Sequence, residues 1–409
     1  MNKPKIRFKG FEGEWKEKAL GDVVDEFKYG INAAAVSYDG ENKYLRITDI
    51  DEGSRAFIKD ELASPDADLS SCNEYIMQDG DIVIARTGAS VGKSYIYRPI
   101  DGKVYFAGFL IRARVNKNVD REFVFQNTLT DGFKKYIRFV SQRSGQPGVN
   151  AEELKSYLMN LPASLPEQRA LASYFTSLDA QIAASTSRLS SLKQIKAASL
   201  LNMFPQKGET VPRVRFKGFE GEWKKVKIGD VAPLTGGFAF QSGQFKTSGV
   251  PIIRISNILS SGIVGGDFVY YNEFKGDSEF RLYKGDVVIA MSGATTGKVA
   301  TFEANDFGYQ NQRVGKFSRT NLVNYELLSK LVSAPNFQKK IISKLTSSAQ
   351  PNASSKDIDS IDLVVPEETE EQRAIASYFT ALDAQITLHR ERLEKLKQIK
   401  AACLEKMFA

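Results

Sequence analysis

A run of 38 residues without Gly or Pro, EQRALASYFTSLDAQIAASTSRLSSLKQIKAASLLNMF at 167–204, is written a second time at 371–408 as EQRAIASYFTALDAQITLHRERLEKLKQIKAACLEKMF. At an offset of 204, 26 of the 38 positions are identical. In the first copy Leu171, Phe175, Leu178, Ile182, Leu189, Leu192 and Met203 lie on alternating steps of four and three. In the second, Ile375, Phe379, Leu382, Ile386, Leu393, Leu396 and Met407 lie on the same steps, with His389 at the seam place that Ser185 holds in the first. That spacing is the seam of a coiled coil. Pro166 and Pro366 stand just ahead of the two runs, acidic residues fill the first turns, and Pro205 follows the first run, as expected of helix N-termini and of a stop. The pattern predicts two helices of roughly 55 Å at about 1.5 Å per residue. Each has an apolar stripe to bury, most simply on the other.

The helices are not the only repeat. KIRFKGFEGEWKEKALGDV at 5–23 returns as RVRFKGFEGEWKKVKIGDV at 213–231, offset by 208, with 13 of 19 positions identical. The repeating unit is therefore half the chain: lead segment, interior, long helix. A period this long points to duplicated domains and not to a solenoid. The interiors keep only short islands, YLRITDI (44–50) against IIRISNI (252–258) and GDIVIARTGASVGK (80–93) against GDVVIAMSGATTGK (285–298). These read as β-branched strands entered from a Gly-Asp turn and left through a Gly-rich loop. A further helix is expected near 123–142 and near 325–344, packed on the sheet. Trp15 and Trp223 read as anchors of the lead segments, and Glu152 and Glu153 as the first turn of a short helix. A frame held nearly constant around two diverged interiors points to two readers of different targets.

Composition excludes several classes. Apolar content of 42% and charged content of 26% belong to an ordinary globular chain with ample core. The net charge of +7 and pI near 9.0 fit a nucleic-acid partner. Cys72 and Cys403 are the only cysteines and stand far apart, which argues against a disulfide framework or zinc cluster and for a reducing compartment. No signal-peptide core and no apolar window of spanning length is present, so a cytoplasmic protein without membrane contact is expected.

The candidate catalytic motifs fail on spacing. GASVGKS at 88–94 has three residues between its glycines where a phosphate-binding loop needs four, and its copy loses the terminal hydroxyl. The repeated Glu-Trp-Lys (14–16 and 222–224) lacks an upstream acidic partner. With His389 the only histidine, and at a seam place, neither a Ser-His-Asp triad nor a multi-histidine metal site is expected within the chain; no metal ligands are expected, and His389 reads as a register-setting seam contact. Basic and amide residues are better placed. In the first half these are Arg46, Arg86, Thr87, Ser90 and Lys93, with Arg143, Gln146 and Asn150 in the loop 141–150. In the second half they are Arg254, Ser292, Thr295, Thr296, Lys298, Gln310, Asn311, Gln312 and Arg313, with Gln350 and Asn352 in the loop 347–355. Arg, Asn and Gln read base edges while Lys holds phosphate.

Taken together, RFKGF.GEW, then GD.VIA..GA..GK, then EQRAIASYF..LDAQI and a long helix, all given twice, resemble the specificity subunit of type I restriction-modification systems. The resemblance implies an α+β chain: mixed α/β target-recognition domains over 1–162 and 207–365, separated by long antiparallel coiled-coil helices over 163–206 and 366–409 with pseudo-two-fold symmetry. It implies double-stranded DNA as a partner, read as a bipartite asymmetric target, and two methyltransferase subunits and restriction subunits docked on the helices. S-adenosylmethionine, ATP and magnesium would be held by those partners and not by this chain, which would be non-catalytic. One departure is that the GK loop ends Lys93-Ser94 in one half and Lys298-Val299 in the other. The alternative from the residues alone is a coiled-coil scaffold joining two ligand-binding domains that touch no DNA.

Overall fold

The protein is described here from a computed structural model covering residues 3–142, 145–345 and 352–408. Two compact units form, Met1–Arg188 with His389–Ala409, and Leu189–Leu388. Each unit is built on an antiparallel four-stranded sheet. In the first its order is Val24–Tyr29, Leu110–Val115, Ile82–Ala85, Ser94–Ile96. In the second it is Leu234–Thr235, Val314–Phe317, Val287–Ala290, Val299–Thr301. The repeated island lies inside each sheet, and strand alternation sends its side chains into two cores. Ile82 and Ile84 pack towards Leu20, Phe123 and Phe133, while Val83 and Ala85 pack towards Leu45, Tyr95 and Phe106. Val287 and Ile289 against Val288 and Ala290 repeat the division.

The second island is only partly a strand. Lys43–Leu45 pairs in parallel with Val104–Phe106, and Val250–Ile253 with Gly308–Gln310. The chain then turns through a 3-10 segment, Ile47–Asp49 or Ile255–Asn257. The reason is local: the side chains of Asp49 and Asn257 accept from the backbone amides of Arg46 and Arg254, at 2.9 and 3.0 Å, and close the chain into a cap.

The helix expected on each sheet is two helices. Arg121–Asn127 stops before Thr130, whose hydroxyl caps Asp131–Val140 by accepting from the amide of Phe133. Tyr325–Ser333 stops before Pro335, the first residue of Pro335–Leu345, where the missing amide costs nothing. The short helix carrying Glu152 and Glu153 is present as Ala151–Lys155.

The long helices are Leu165–Asn202 and Thr369–Met407, and the stripe expected from the sequence is the stripe that is buried. Leu171, Phe175, Leu178, Leu189, Leu192, Ile375, Phe379, Leu382, Ile386 and Leu393 are buried, whereas Ile182, His389 and Leu396 are half-buried. The same steps pass through polar residues at Lys196 and Ser199, and at Lys400 and Cys403. In the first unit Cys403 Sγ meets the Tyr174 hydroxyl at 3.3 Å and Lys400 pairs with Asp179 at 2.5 Å. In the second, Ser199 meets Tyr378 at 2.9 Å and Lys196 pairs with Asp383 at 2.6 Å. Residue numbers rise along one helix as they fall along the other, so the helices run antiparallel within each unit.

The lead segments are anchored to these helices. Trp15 and Trp223 are buried. Arg7 grips both carboxylate oxygens of Glu167 at 2.7 and 2.8 Å, and Arg215 those of Glu371 at the same distances. Both carboxylates are buried, so removing one partner would strand a charge at a cost of about 3–5 kcal/mol. Trp15 adds an indole donor to Glu167 at 3.2 Å.

Candidate nucleic-acid interface

In each unit the Gly-rich loop that follows the central strand is closed by its glycines. Gly88 and Gly92 have φ of 69° and 81°, and Gly293 and Gly297 have φ of 75° and 85°. These are left-handed conformations that side chains resist. A Cβ on Gly92 would also stand 2.7 Å from Ile137, and one on Gly297 3.1 Å from Ile341. The repeated GA..GK pattern therefore serves the turn and the helix packed on it, and no phosphate cradle is needed to explain it.

Two further segments are pinned to this loop. In the first unit Arg86 donates its amide to Phe109 O at 2.9 Å and accepts from Val149 at 2.8 Å, while Gly88 donates to Pro147 O at 2.9 Å. In the second, Met291 donates to Arg313 O at 2.9 Å and accepts from Ala353 at 2.7 Å, and Ser292 bridges to Asn352. The turn carrying Phe109 or Arg313 is crossed by another stretch of backbone. A Cβ on Gly30 would stand 2.3 Å from the carbonyl oxygens of Phe106 and Ala107, and one on Gly237 2.3 and 2.4 Å from those of Gln310 and Asn311. The structure thus brings together three loops per unit, including the two singled out from sequence.

The candidate side chains divide by what they already touch. Arg86 stacks on Tyr29, 4.8 Å from the ring centre. Thr87 and Ser90 are half-buried in the loop, Gln146 is exposed with its amide against Gly88, and Gln312, Arg313 and Asn352 are exposed. Several buried polar atoms here, Arg86 Nε, Arg254 Nε, Ser292 Oγ and Thr295 Oγ1, have no partner among the described residues. Other candidates are occupied. Asn150 caps the helix Ala151–Lys155 by accepting from Glu153 N at 2.9 Å, Thr296 donates its hydroxyl to Gly293 O at 2.6 Å, and Asn311 is nearly buried. Gln310 is corrected outright: it is fully buried, and its amide donates to Thr235 O and Val314 O at 2.8 Å each, so it holds the sheet and cannot reach a base. Arg143 and Gln350 lie outside the described residues.

Charge is distributed unevenly. Arg46 forms a two-pronged pair with Asp49 at 2.8 Å on each arm, and that bond holds its guanidinium above the usual arginine range. Lys93 is largely covered, bonded to Ile50 O at 3.2 Å and paired with Glu52 at 3.0 Å. Among the described residues the Arg254 guanidinium meets the Asp267 carbonyl at 3.3 Å and no carboxylate, and Lys298 and Arg313 have no ion pair there. The turn at 107–109 was not singled out from the first half of the sequence. Its signal was present, since Ala107-Gly108-Phe109 stands 204 residues before Asn311-Gln312-Arg313. Phe109 is 59% exposed. Glu52 had no such signal. Among the described residues no group of three or more His, Cys, Asp or Glu is placed to hold a metal, and no helix is long and apolar enough to cross a membrane.

Residues 12–194 and 220–398 match the family described as Type I restriction modification DNA specificity domain. Over 402 residues the chain is 21% identical to the Type I restriction enzyme MjaVIII specificity subunit of Methanocaldococcus jannaschii, spanning 95% of this chain and 90% of that protein. A shorter match, 28% over 179 residues, takes in 43% of this chain and 36% of the Type I restriction enzyme EcoBI specificity subunit of Escherichia coli. In fold, the chain resembles the S subunit of a type I restriction-modification system from M. genitalium, with a TM-score of 0.68 at 14% identity over 100% of this chain and 99% of that one. A chain from a structure describing complex assembly and conformational transition of the type I R-M system gives 0.52 at 17% identity, over 96% and 97%.

Proposed function

Because the chain belongs to the Type I restriction modification DNA specificity family, whose domain it carries twice, we propose that each recognition domain, 1–162 and 207–365, reads one half of a split, asymmetric duplex sequence. The helical stretches 163–206 and 366–409 serve as spacer and as docking surface for two methyltransferase subunits and for restriction subunits. Methyl transfer to adenine from S-adenosylmethionine, and cleavage driven by ATP with magnesium, are done by those partners, in the cytoplasm. The observation that carries this reading is the set of three loops, pinned by equivalent backbone bonds in both units while bearing different side chains: Phe109 where the other has Arg313, Arg86 where the other has Met291. Constant scaffold with variable tips is what positional backbone contacts plus separate base readout require.

The test replaces residues 24–144 with the corresponding interior of a relative, in cells that also supply the modification partners. Methylome sequencing should show one half-site changed and the other retained. Alteration of both half-sites would refute independent reading.

A further inference from the structure

We infer that at three equivalent places, Arg46/Arg254, Lys93/Lys298 and the loop tip Phe109/Arg313, the second recognition domain supplies the electrostatic grip on DNA phosphates, whereas the first has the cation neutralised or absent; Arg86, stacked on Tyr29 where the second has Met291, is the first domain's exception. This rests on the DNA-reading function proposed above. Three pairs of equivalent positions carry it.

The first pair is Arg46 and Arg254, each the residue before a 3-10 turn. The residue three places on closes the turn by accepting the backbone amide, and it does so equally well as Asp49, at 2.9 Å, or as Asn257, at 3.0 Å. The cap therefore needs no charge. The extra negative charge of Asp49 acts on the guanidinium, which it holds in both arms at 2.8 Å, and Arg254 is spared this.

The second pair is Lys93 and Lys298, which end the Gly-rich loops. Lys93 Nζ sits 3.0 Å from Glu52, a residue of the acidic turn Asp51-Glu52. The corresponding turn in the second half, LSSGIVGG at 259–266, has no carboxylate, and Lys298 has no ion pair among the described residues. Glu52 is 75% exposed on its side chain, so the bond itself is weak. What matters is the charge left in place: a phosphate that displaced Glu52 from Lys93 would still meet its negative charge, well within a Debye length of about 8 Å. The third pair is the loop tip, exposed Phe109 in one unit and exposed Arg313 in the other.

Each phosphate neutralised by a cation contributes about 0.9 to the slope of log affinity against log salt. The experiment measures binding of the purified full chain to a random-sequence duplex by fluorescence anisotropy in KCl from about 50 to about 200 mM. Arg254→Gln, Lys298→Ala and Arg313→Ala should each make the slope shallower by about one. Arg254→Lys, which keeps the charge, should restore it. Arg46→Gln and Lys93→Ala should leave it unchanged. Glu52→Gln, which releases Lys93, should steepen the slope by about one and tighten binding severalfold at low salt; misfolding cannot produce such a gain. Equal losses from Lys93→Ala and Lys298→Ala, or no loss from the second-domain variants, would overturn the inference while leaving DNA reading intact. A wild-type chain without salt-sensitive duplex binding would overturn both.

Discussion

Asp179 and Asp383 show how far a single side chain can be committed by its surroundings. Asp383 accepts from Lys196 of the first long helix at 2.6 Å and from Lys330 of the sheet-packed helix at 2.7 Å; Asp179 takes Lys400 and the Gln126 amide in the same way. Burial on its own would raise the Asp383 carboxyl, yet the two lysine bonds overcome it and hold the pKa below the ordinary carboxylate value. A folded-state pKa that is depressed adds stability in full above the unfolded value, near 3.8, and loses it as pH falls through the folded one. Asp383→Asn should therefore lower the melting temperature by about 2–4 °C near neutral pH, for a loss of roughly 1 kcal/mol. The gap from wild type should close below about pH 4. Thermal melts across a pH series check this, and a gap independent of pH would show that the charge is not what stabilises. Gln310 and Asn150 make the complementary point. Both have the side chain of a base reader, and both are spent inside the fold, one on sheet carbonyls and one on a helix cap.

At the scale of elements, the long helices were legible because a seam repeated over 38 residues leaves one way to bury it. The sheet-packed helices were misread as single because apolar periodicity runs through the break, although Pro335 and Thr130 mark it. The seam makes a sharp prediction about insertions. Two residues added after Ser185 turn the downstream stripe by about 200° at about 100° per residue, taking Leu189 and Leu192 out of burial. The variant should lose its cooperative melt. Four residues turn it only about 40° past a full revolution, a stutter that such helices absorb, and add about 6 Å. That variant should fold, keep both half-sites and prefer a spacer longer by roughly one or two base pairs of about 3.4 Å. Methylation of a library with graded spacers measures it, and a fully active variant with the parental optimum would sink the spacer role of the helix.

For the whole chain, the division of labour is testable without its partners. Purified polypeptide given S-adenosylmethionine, magnesium, ATP and duplex DNA should neither methylate nor cut, with tritium transfer and gel mobility as readouts; reproducible methyl transfer by the lone chain would contradict the assignment of chemistry to other subunits. Sequence by itself determined the duplication, the two long seam-bearing helices, the buried strand island and the family, because each is written as a period or a repeated motif that survives without coordinates; that the helices run antiparallel is read from their contacts. Tertiary structure alone decided which polar residues remain available. Arg46 and Arg254, or Lys93 and Lys298, are interchangeable in a sequence pattern. What separates the lysines is Glu52, brought to 3.0 Å from Lys93 by a neighbouring turn whose position depends on the packing of the whole unit; the arginines differ through Asp49 against Asn257 three places on, a difference the sequence shows but whose two-pronged bond only the folded turn reveals. The same holds for the turn at Phe109, which joins the other two loops only because Gly30 lets the backbone pass at contact distance.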